Sequence, residues 1–241
     1  MVVITGAGGA LGTAIATRFA AHPGIALVLS DVSPSGLDAT VAAVGGGGSV
    51  DSVLADVSDA AAVQSVVDHA VGRFGRLDAY IGNAGVLAPN GRIHNQTEAD
   101  WHRSFAVNVM GAANGIAAAV GPMRRQGFGS IVLTASVAGM TAWSHSAPYC
   151  ATKAAVIQLV KVAAVEYARD GIRVNCVCPG TFRSAIHDDL PDGALDPIAS
   201  RHPLGLGQAV DVAGAYEYLA GEAAGWTTGT ALVVDGGYAA P

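Results

Sequence analysis

Short apolar runs and longer stretches of helical periodicity take turns along this chain. Met1–Thr5 is a continuous apolar run of the kind expected for a parallel strand covered on both faces, and Ile25–Ser30, Val50–Ala55, Leu77–Ile81, Ile131–Ala135, Ile172–Val177 and Ala231–Val234 are the further expected strands. Between them, apolar residues recur at helical spacing. Leu11, Ile15 and Phe19 open the series, and Ala62, Val63, Val66, Val67, Ala70 and Val71 line one face of Ser58–Phe74, with Ser58 as the expected N-cap. Thr97–Met123 predicts a long helix kinked at Asn108–Gly111, and further helices follow at Ala154–Ala163 and Asp211–Leu219. This alternation predicts an α/β fold in a single domain spanning 1–241, a length that one core of this type accommodates.

The first strand leads straight into Gly6-Ala7-Gly8-Gly9-Ala10-Leu11-Gly12 and then a helix. A glycine turn feeding a helix N-terminus is a phosphate cradle, because the backbone can approach closely and the first N–H groups of the helix have no internal partner. The second strand ends at Asp31, 19 residues after Gly12. A carboxylate there accepts hydrogen bonds from ribose hydroxyls and repels a 2′-phosphate. Its competing role is to cap the helix that starts near Ser33-Pro34.

Tyr149 and Lys153 lie four residues apart at the head of an apolar helix and share one face. A tyrosine with a pKa of about 10 becomes a better proton shuttle when a fixed cation stands within roughly 4–6 Å. Thirteen residues before Tyr149, Ser136 ends a strand and can donate to a substrate oxygen. With the glycine turn and the Asn83-Ala84-Gly85 turn in the same order, the whole chain resembles the short-chain dehydrogenase/reductase family.

That resemblance implies a Rossmann-type, doubly wound parallel sheet of about seven strands with helices on both faces. It also implies hydride transfer between a secondary alcohol carbon and NAD. In this reading Tyr149 is the general acid/base, Ser136 holds the oxygen, and Lys153 lowers the phenol pKa and binds ribose. Asn108 interrupts its helix and positions a relay water. The cofactor set would be Gly6, Gly9, Ala10, Leu11, Gly12, Asp31, Asp56 and Val57 at the adenine, Asn83, Ala84, Gly85, Tyr149, Lys153, Pro179, Gly180, Thr181 and Ser184. Three positions depart from the family pattern: Ala10 replaces the middle glycine, Gly82 the first Asn of N-N-A-G, and Ser184 the terminal Thr of P-G-x-x-x-T. Neither Val32 nor the glycine turn supplies the Arg or Lys of NADP-preferring relatives, which favours NAD.

Phe182–Gln208, rich in Pro, Gly and Asp, reads as a substrate lid around 182–208. Trp143, His145, Phe182, Ile186 and Leu190 are the expected lining of a partly apolar pocket for a small alcohol or ketone with a cyclic or aromatic body, and His94 is expected in solvent. Carrier-protein ketoreductases of the family carry Arg where this chain has Gly127 and Asp170, so that partner is disfavoured. A non-catalytic dinucleotide-binding redox sensor and a family epimerase are the other readings, the first opposed by the intact Ser136, Asn108, Tyr149 and Lys153. The second is opposed by the short stretch after Lys153.

Apolar residues make up 51% of the chain and charged residues 13%, which fits helix faces buried between subunits: a homo-oligomer, with a tetramer favoured and a dimer possible. The net charge of −6 is spread out and the only basic pair is Arg124-Arg125, so neither nucleic acid nor membrane is an expected partner. The opening Met1-Val-Val-Ile-Thr5-Gly6 has no basic or long apolar region, which suggests a cytoplasmic location. Cys150, Cys176 and Cys178 are expected as small buried thiols, and no metal site is expected.

Overall fold

The structure is a computed structural model that describes residues 1–45, 49–184, 193 and 195–240. Seven parallel strands form one sheet: β1 (Val2–Thr5), β2 (Leu27–Asp31), β3 (Val50–Leu54), β4 (Ala79–Gly82), β5 (Gly129–Thr134), β6 (Ile172–Pro179) and β9 (Ala231–Val234). Their spatial order is β3-β2-β1-β4-β5-β6-β9. Two further short strands, β7 (Phe182–Arg183) and β8 (Gly207–Gln208), pair in parallel with each other. That pairing brings together the two ends of the segment expected to form the lid.

Successive residues of a strand face opposite sides, so each central strand feeds two cores. Val2, Ile4, Leu27, Leu29, Ile81 and Val132 pack under α1 (Ala10–Ala20), α2 (Pro34–Val44) and α8 (Ala209–Ala220). Val3, Val28, Tyr80, Ile131, Leu133 and Val174 face the other way, under α3 (Ala60–Phe74), α5 (Gly111–Gln126) and α6 (Ala147–Tyr167). Each fully buried Leu or Ile in these layers contributes about 1.5–3 kcal/mol from transfer out of water. The doubly wound architecture is therefore the expected one. Chain order reverses between β1 and β4, and a crevice opens there at the carboxyl ends of the strands.

Several local expectations shift. The cap of α3 is Asp59, not Ser58: the Asp59 carboxylate accepts from the N–H groups of Ala61 and Ala62, while Ser58 donates its own N–H and hydroxyl to Asp56. A carboxylate is the stronger acceptor at the positive end of a helix. The long helix is divided into α4 (Glu98–Phe105), a π-turn over Ala106–Met110 and α5, which runs past Met123 to Gln126 and stops at left-handed Gly127. Glu98–Gln126 and Ala147–Asp170 are long and apolar enough to cross a membrane by length and composition. Here, one face of each covers the sheet. Between β6 and α8 lies α7 (Asp196–Ala199).

Candidate active site

The crevice holds two adjoining cavities of about 360 and 560 Å3. Both are bordered by Gly6, Asp31, Gly85, Val86 and Arg103. The larger is floored by Gly9, Ala10 and Leu11 at the start of α1, whose N-terminus has no side-chain cap. Its first N–H groups therefore present an anion-binding end. A Cβ on Gly12 would lie 2.1 Å from the Gly6 carbonyl oxygen, and one on Gly6, at φ +64°, would lie 2.6 Å from Ala84. These two glycines let the turn fold back on β1 and β4. Ala10 is exposed at the first position of the helix, so its methyl group displaces nothing in the turn.

Asp31 closes the other end of the cradle. Its carboxylate accepts from the N–H groups of Gly8 and Ser33, at 2.9 Å each, and retains lone pairs toward the cavity. Ser33, rather than Asp31, caps α2. The smaller cavity is lined by Asp31, Val32, Asp56, Val57, Ser58 and Ala84, as an adenosine pocket would require. Arg103 reaches the seam between the cavities from α4 and makes no ion pair among the described residues. Inspection of the glycine turn alone overlooks it, because only the fold carries α4 across the cleft.

Ser136, Tyr149 and Lys153 all border the larger cavity. Lys153 is only 3% exposed, donates to the Thr134 carbonyl at 2.7 Å, and has its Nζ 5.6 Å from the centre of the Tyr149 ring. Burial pulls its pKa down to about 8. Burial also raises the Tyr149 hydroxyl above its ordinary range, against a hydrogen bond with Ser136 that acts in the opposite sense. The expected lowering of the phenol by Lys153 is not seen in the chain alone, where the Ser136 hydrogen bond is the lowering influence. Desolvation of the phenolate is the larger effect.

Asn108 lies within the π-turn, so the expected interruption of the helix is present. Its Oδ1 accepts from Val86 N–H at 2.8 Å, and Nδ2 donates to the Val86 carbonyl and to Thr152 Oγ1. It fixes the loop after β4 against α6 and lies behind the main cleft. Asn83 likewise stitches the sheet, donating to the Gly6 carbonyl and accepting from Thr134 Oγ1. Gly82 stands where a side chain would meet Leu133 at 2.6 Å.

Trp143 and Phe182 line the larger cavity together with Val86 and Leu87, which gives it an apolar wall. Trp143 stacks on Tyr149 with ring centres 6.2 Å apart. His145 departs from expectation: it is exposed, has φ +67°, and uses its carbonyl to accept from Gly91 N–H, so it shapes the rim. Ile186 and Leu190 lie outside the described residues, as do Asp188, Asp189 and Asp192 of the segment expected to form a lid. Pro179, Gly180 and Ser184 border the larger cavity, whereas Thr181 borders a neighbouring one and gives its N–H to His202. His94 is exposed; Cys176 and Cys178 are buried and Cys150 only partly so. No cluster of metal-ligating side chains occurs among the described residues.

A family model described as Enoyl-(Acyl carrier protein) reductase matches residues 6–239. Cis-4-hydroxycyclohexanecarboxylate dehydrogenase of Sinomonas cyclohexanicum is 36% identical over 241 residues, covering 100% of this chain and 96% of the relative. The chain is a short-chain dehydrogenase/reductase. Among other members of the family, levodione reductase of Leifsonia aquatica is 34% identical, with 100% of this chain and 94% of that protein covered. A crystal structure of levodione reductase superposes with a TM-score of 0.93 at 34% identity, covering 100% of this chain and 98% of the other. The 3-oxoacyl-[acyl-carrier-protein] reductase of Thermotoga maritima is 35% identical over 98% of this chain and 96% of its own. This short-chain dehydrogenase/reductase is accordingly an alcohol/ketone oxidoreductase that takes a nicotinamide dinucleotide.

Proposed function

We propose that the enzyme uses NAD in preference to NADP to interconvert a small secondary alcohol with a cyclic or aromatic body and its ketone. The observation that carries this reading is the position of Asp31 at the seam of the two cavities, with the Ser136, Tyr149 and Lys153 cluster bordering the larger one. An anionic carboxylate at the ribose end opposes a 2′-phosphate. The walls formed by Trp143, Phe182 and Leu87 suit a flat apolar substrate body, and the hydroxycyclohexanecarboxylate relative acts on a cyclic compound.

When bound, the dinucleotide would supply hydride chemistry. The residues that would hold it are Gly6, Gly9, Ala10 and Leu11 at the phosphates, Asp31, Asp56 and Val57 at the adenosine, and Gly85, Lys153 and Gly180 toward the reacting end. A phenol raised in pKa is protonated at neutral pH, so Tyr149 is ready to give its proton to a ketone oxygen held by Ser136. In the reverse direction Tyr149 takes the alcohol proton, and the nearby Lys153 ammonium favours the resulting phenolate. Asn108 serves this relay by shaping the π-turn behind Lys153.

Exposed apolar residues on the two long helical segments, among them Phe105, Met110, Val162 and Val165, support a homo-oligomer with a tetramer favoured. A carrier-protein substrate has less support. Gly127 is the left-handed cap of α5, and Asp170 pairs with Arg124 at 3.1 Å instead of offering a cation.

The test is nicotinamide absorbance with a panel of cyclic and aromatic ketones and their alcohols, each with both cofactors, for the native chain and Tyr149→Phe. NAD-dependent turnover that the substitution abolishes is the expected result; preference for NADP would overturn the assignment of Asp31.

A further inference from the structure

We propose that His202 is a positioning residue that fixes the cofactor loop after β6 from the lid side of the site. The inference rests on the dinucleotide reading given above. His202 is 3% exposed, and both ring nitrogens are engaged. Nδ1 lies 2.8 Å from the Ile198 carbonyl, a group that can only accept. Nε2 lies 3.1 Å from the Thr181 N–H, a group that can only donate. The two neighbours therefore select one form: a neutral imidazole with its proton on Nδ1 and its lone pair toward Thr181.

The loop held in this way is the one that follows β6. Gly180 borders the main cavity and donates its N–H to the Val234 carbonyl at 3.0 Å, which ties the loop to β9. A Cβ on Gly180 would lie 2.8 Å from Asp235, so loop and terminal turn are in close contact. One residue later, the bond from Thr181 to His202 ties the same loop to the segment containing α7. The lid side and the cofactor side thus share one side-chain bond.

Tyr238 holds the imidazole in place. Its ring lies 4.7 Å from His202 and edge-on to Trp143 at 6.2 Å, and the Arg201 guanidinium covers it at 4.6 Å. Trp143 in turn stacks on Tyr149. A continuous set of contacts therefore runs from Thr181 through His202, Tyr238 and Trp143 to the catalytic tyrosine. Leu204 N–H to the Gly236 carbonyl, at 3.0 Å, closes the same corner.

Two substitutions separate positioning from bulk. His202→Phe keeps a ring against Tyr238 but removes the acceptor; His202→Gln loses the ring but keeps an acceptor within reach of Thr181. NADH titration should show affinity reduced about tenfold in the first and restored to within about threefold of native in the second, the scale of one hydrogen bond. Hydrogen exchange at the Thr181 amide should be slow in the native and Gln forms and fast in the Phe form, with melting temperatures recorded for all three. Equal affinities across the three proteins, or a Gln form as weak as the Phe form, would overturn the proposal. If the native chain itself binds no dinucleotide, the reading of the whole cleft fails, an outcome distinct from both.

Discussion

The Lys153 ammonium donates to the Thr134 carbonyl at 2.7 Å, where β5 ends two residues before Ser136. This bond anchors α6 to the end of the strand that leads to Ser136. It also holds a cation away from water, with consequences for stability as well as chemistry.

In the chain without cofactor, Lys153 titrates at about 8, below its ordinary 10.5. Between those values the unfolded chain holds a proton that the folded chain has released, so stability gains as pH rises through this window. Below about pH 8 the full cost of the buried charge remains. The stability of the native chain relative to Lys153→Met should therefore rise by on the order of 3 kcal/mol from about pH 8 to 10.5, and activity should be lost in the variant. Denaturant unfolding of both proteins across that range checks it; a constant difference would show that burial does not depress this lysine.

Gly9 and Gly12 should respond very differently to the same methyl group. A Cβ on Gly9 comes no nearer than 3.8 Å to any neighbour, whereas one on Gly12 would lie 2.1 Å from the Gly6 carbonyl. Gly9→Ala is expected to keep dinucleotide binding within a few-fold, and Gly12→Ala to lose binding and several kcal/mol of stability, as overpacking of a rigid site does. Binding isotherms and melting curves for the pair decide it.

Asp31 and Arg103 face the seam of the two cavities with opposite charges. Asp31→Asn should weaken NAD about tenfold while narrowing discrimination against NADP, because the repulsion of a 2′-phosphate is removed. Arg103→Ala should weaken both cofactors alike, with a smaller salt dependence. Competition titrations at two ionic strengths separate these effects; an unchanged NADP ratio in Asp31→Asn would rule out the charge argument.

The cap of α3 offers a test of stability, with Asp59 outside both cavities and Ser58 at the border of the smaller one. Asp59→Ala should cost about 1 kcal/mol, the usual worth of an N-cap, and Ser58→Ala clearly less. Urea midpoints of the two variants measure the difference, and the reverse order would restore Ser58 as the cap.

The sequence located all seven strands of the main sheet, the central ones because their residues are apolar for the same reason in the chain and in the fold: both faces are covered. Strand ends were less legible. β6 continues through Pro179 because β9 pairs with it there, a partner that is remote in sequence. Ser58 and Asp59 are both good caps in isolation, and only the path of the chain past Asp56 decides between them. The larger omissions, Arg103, His202 and Tyr238, have no local signal. Arg103 reaches the cavities from α4, and His202 and Tyr238 meet Thr181 and Trp143 from elements remote in sequence.

By itself, the sequence determined the order of strands and helices, the glycine turn, and the spacing of Ser136, Tyr149 and Lys153, because each depends on contacts along a single strand, turn or helix. Tertiary structure alone decided that Asn108 spends its side chain on Val86 and Thr152, that burial outweighs the Ser136 hydrogen bond at Tyr149, and that a histidine after α7 holds Thr181. Desolvation and hydrogen-bond partnership are properties of what surrounds a group, and the surroundings exist only once the chain has folded.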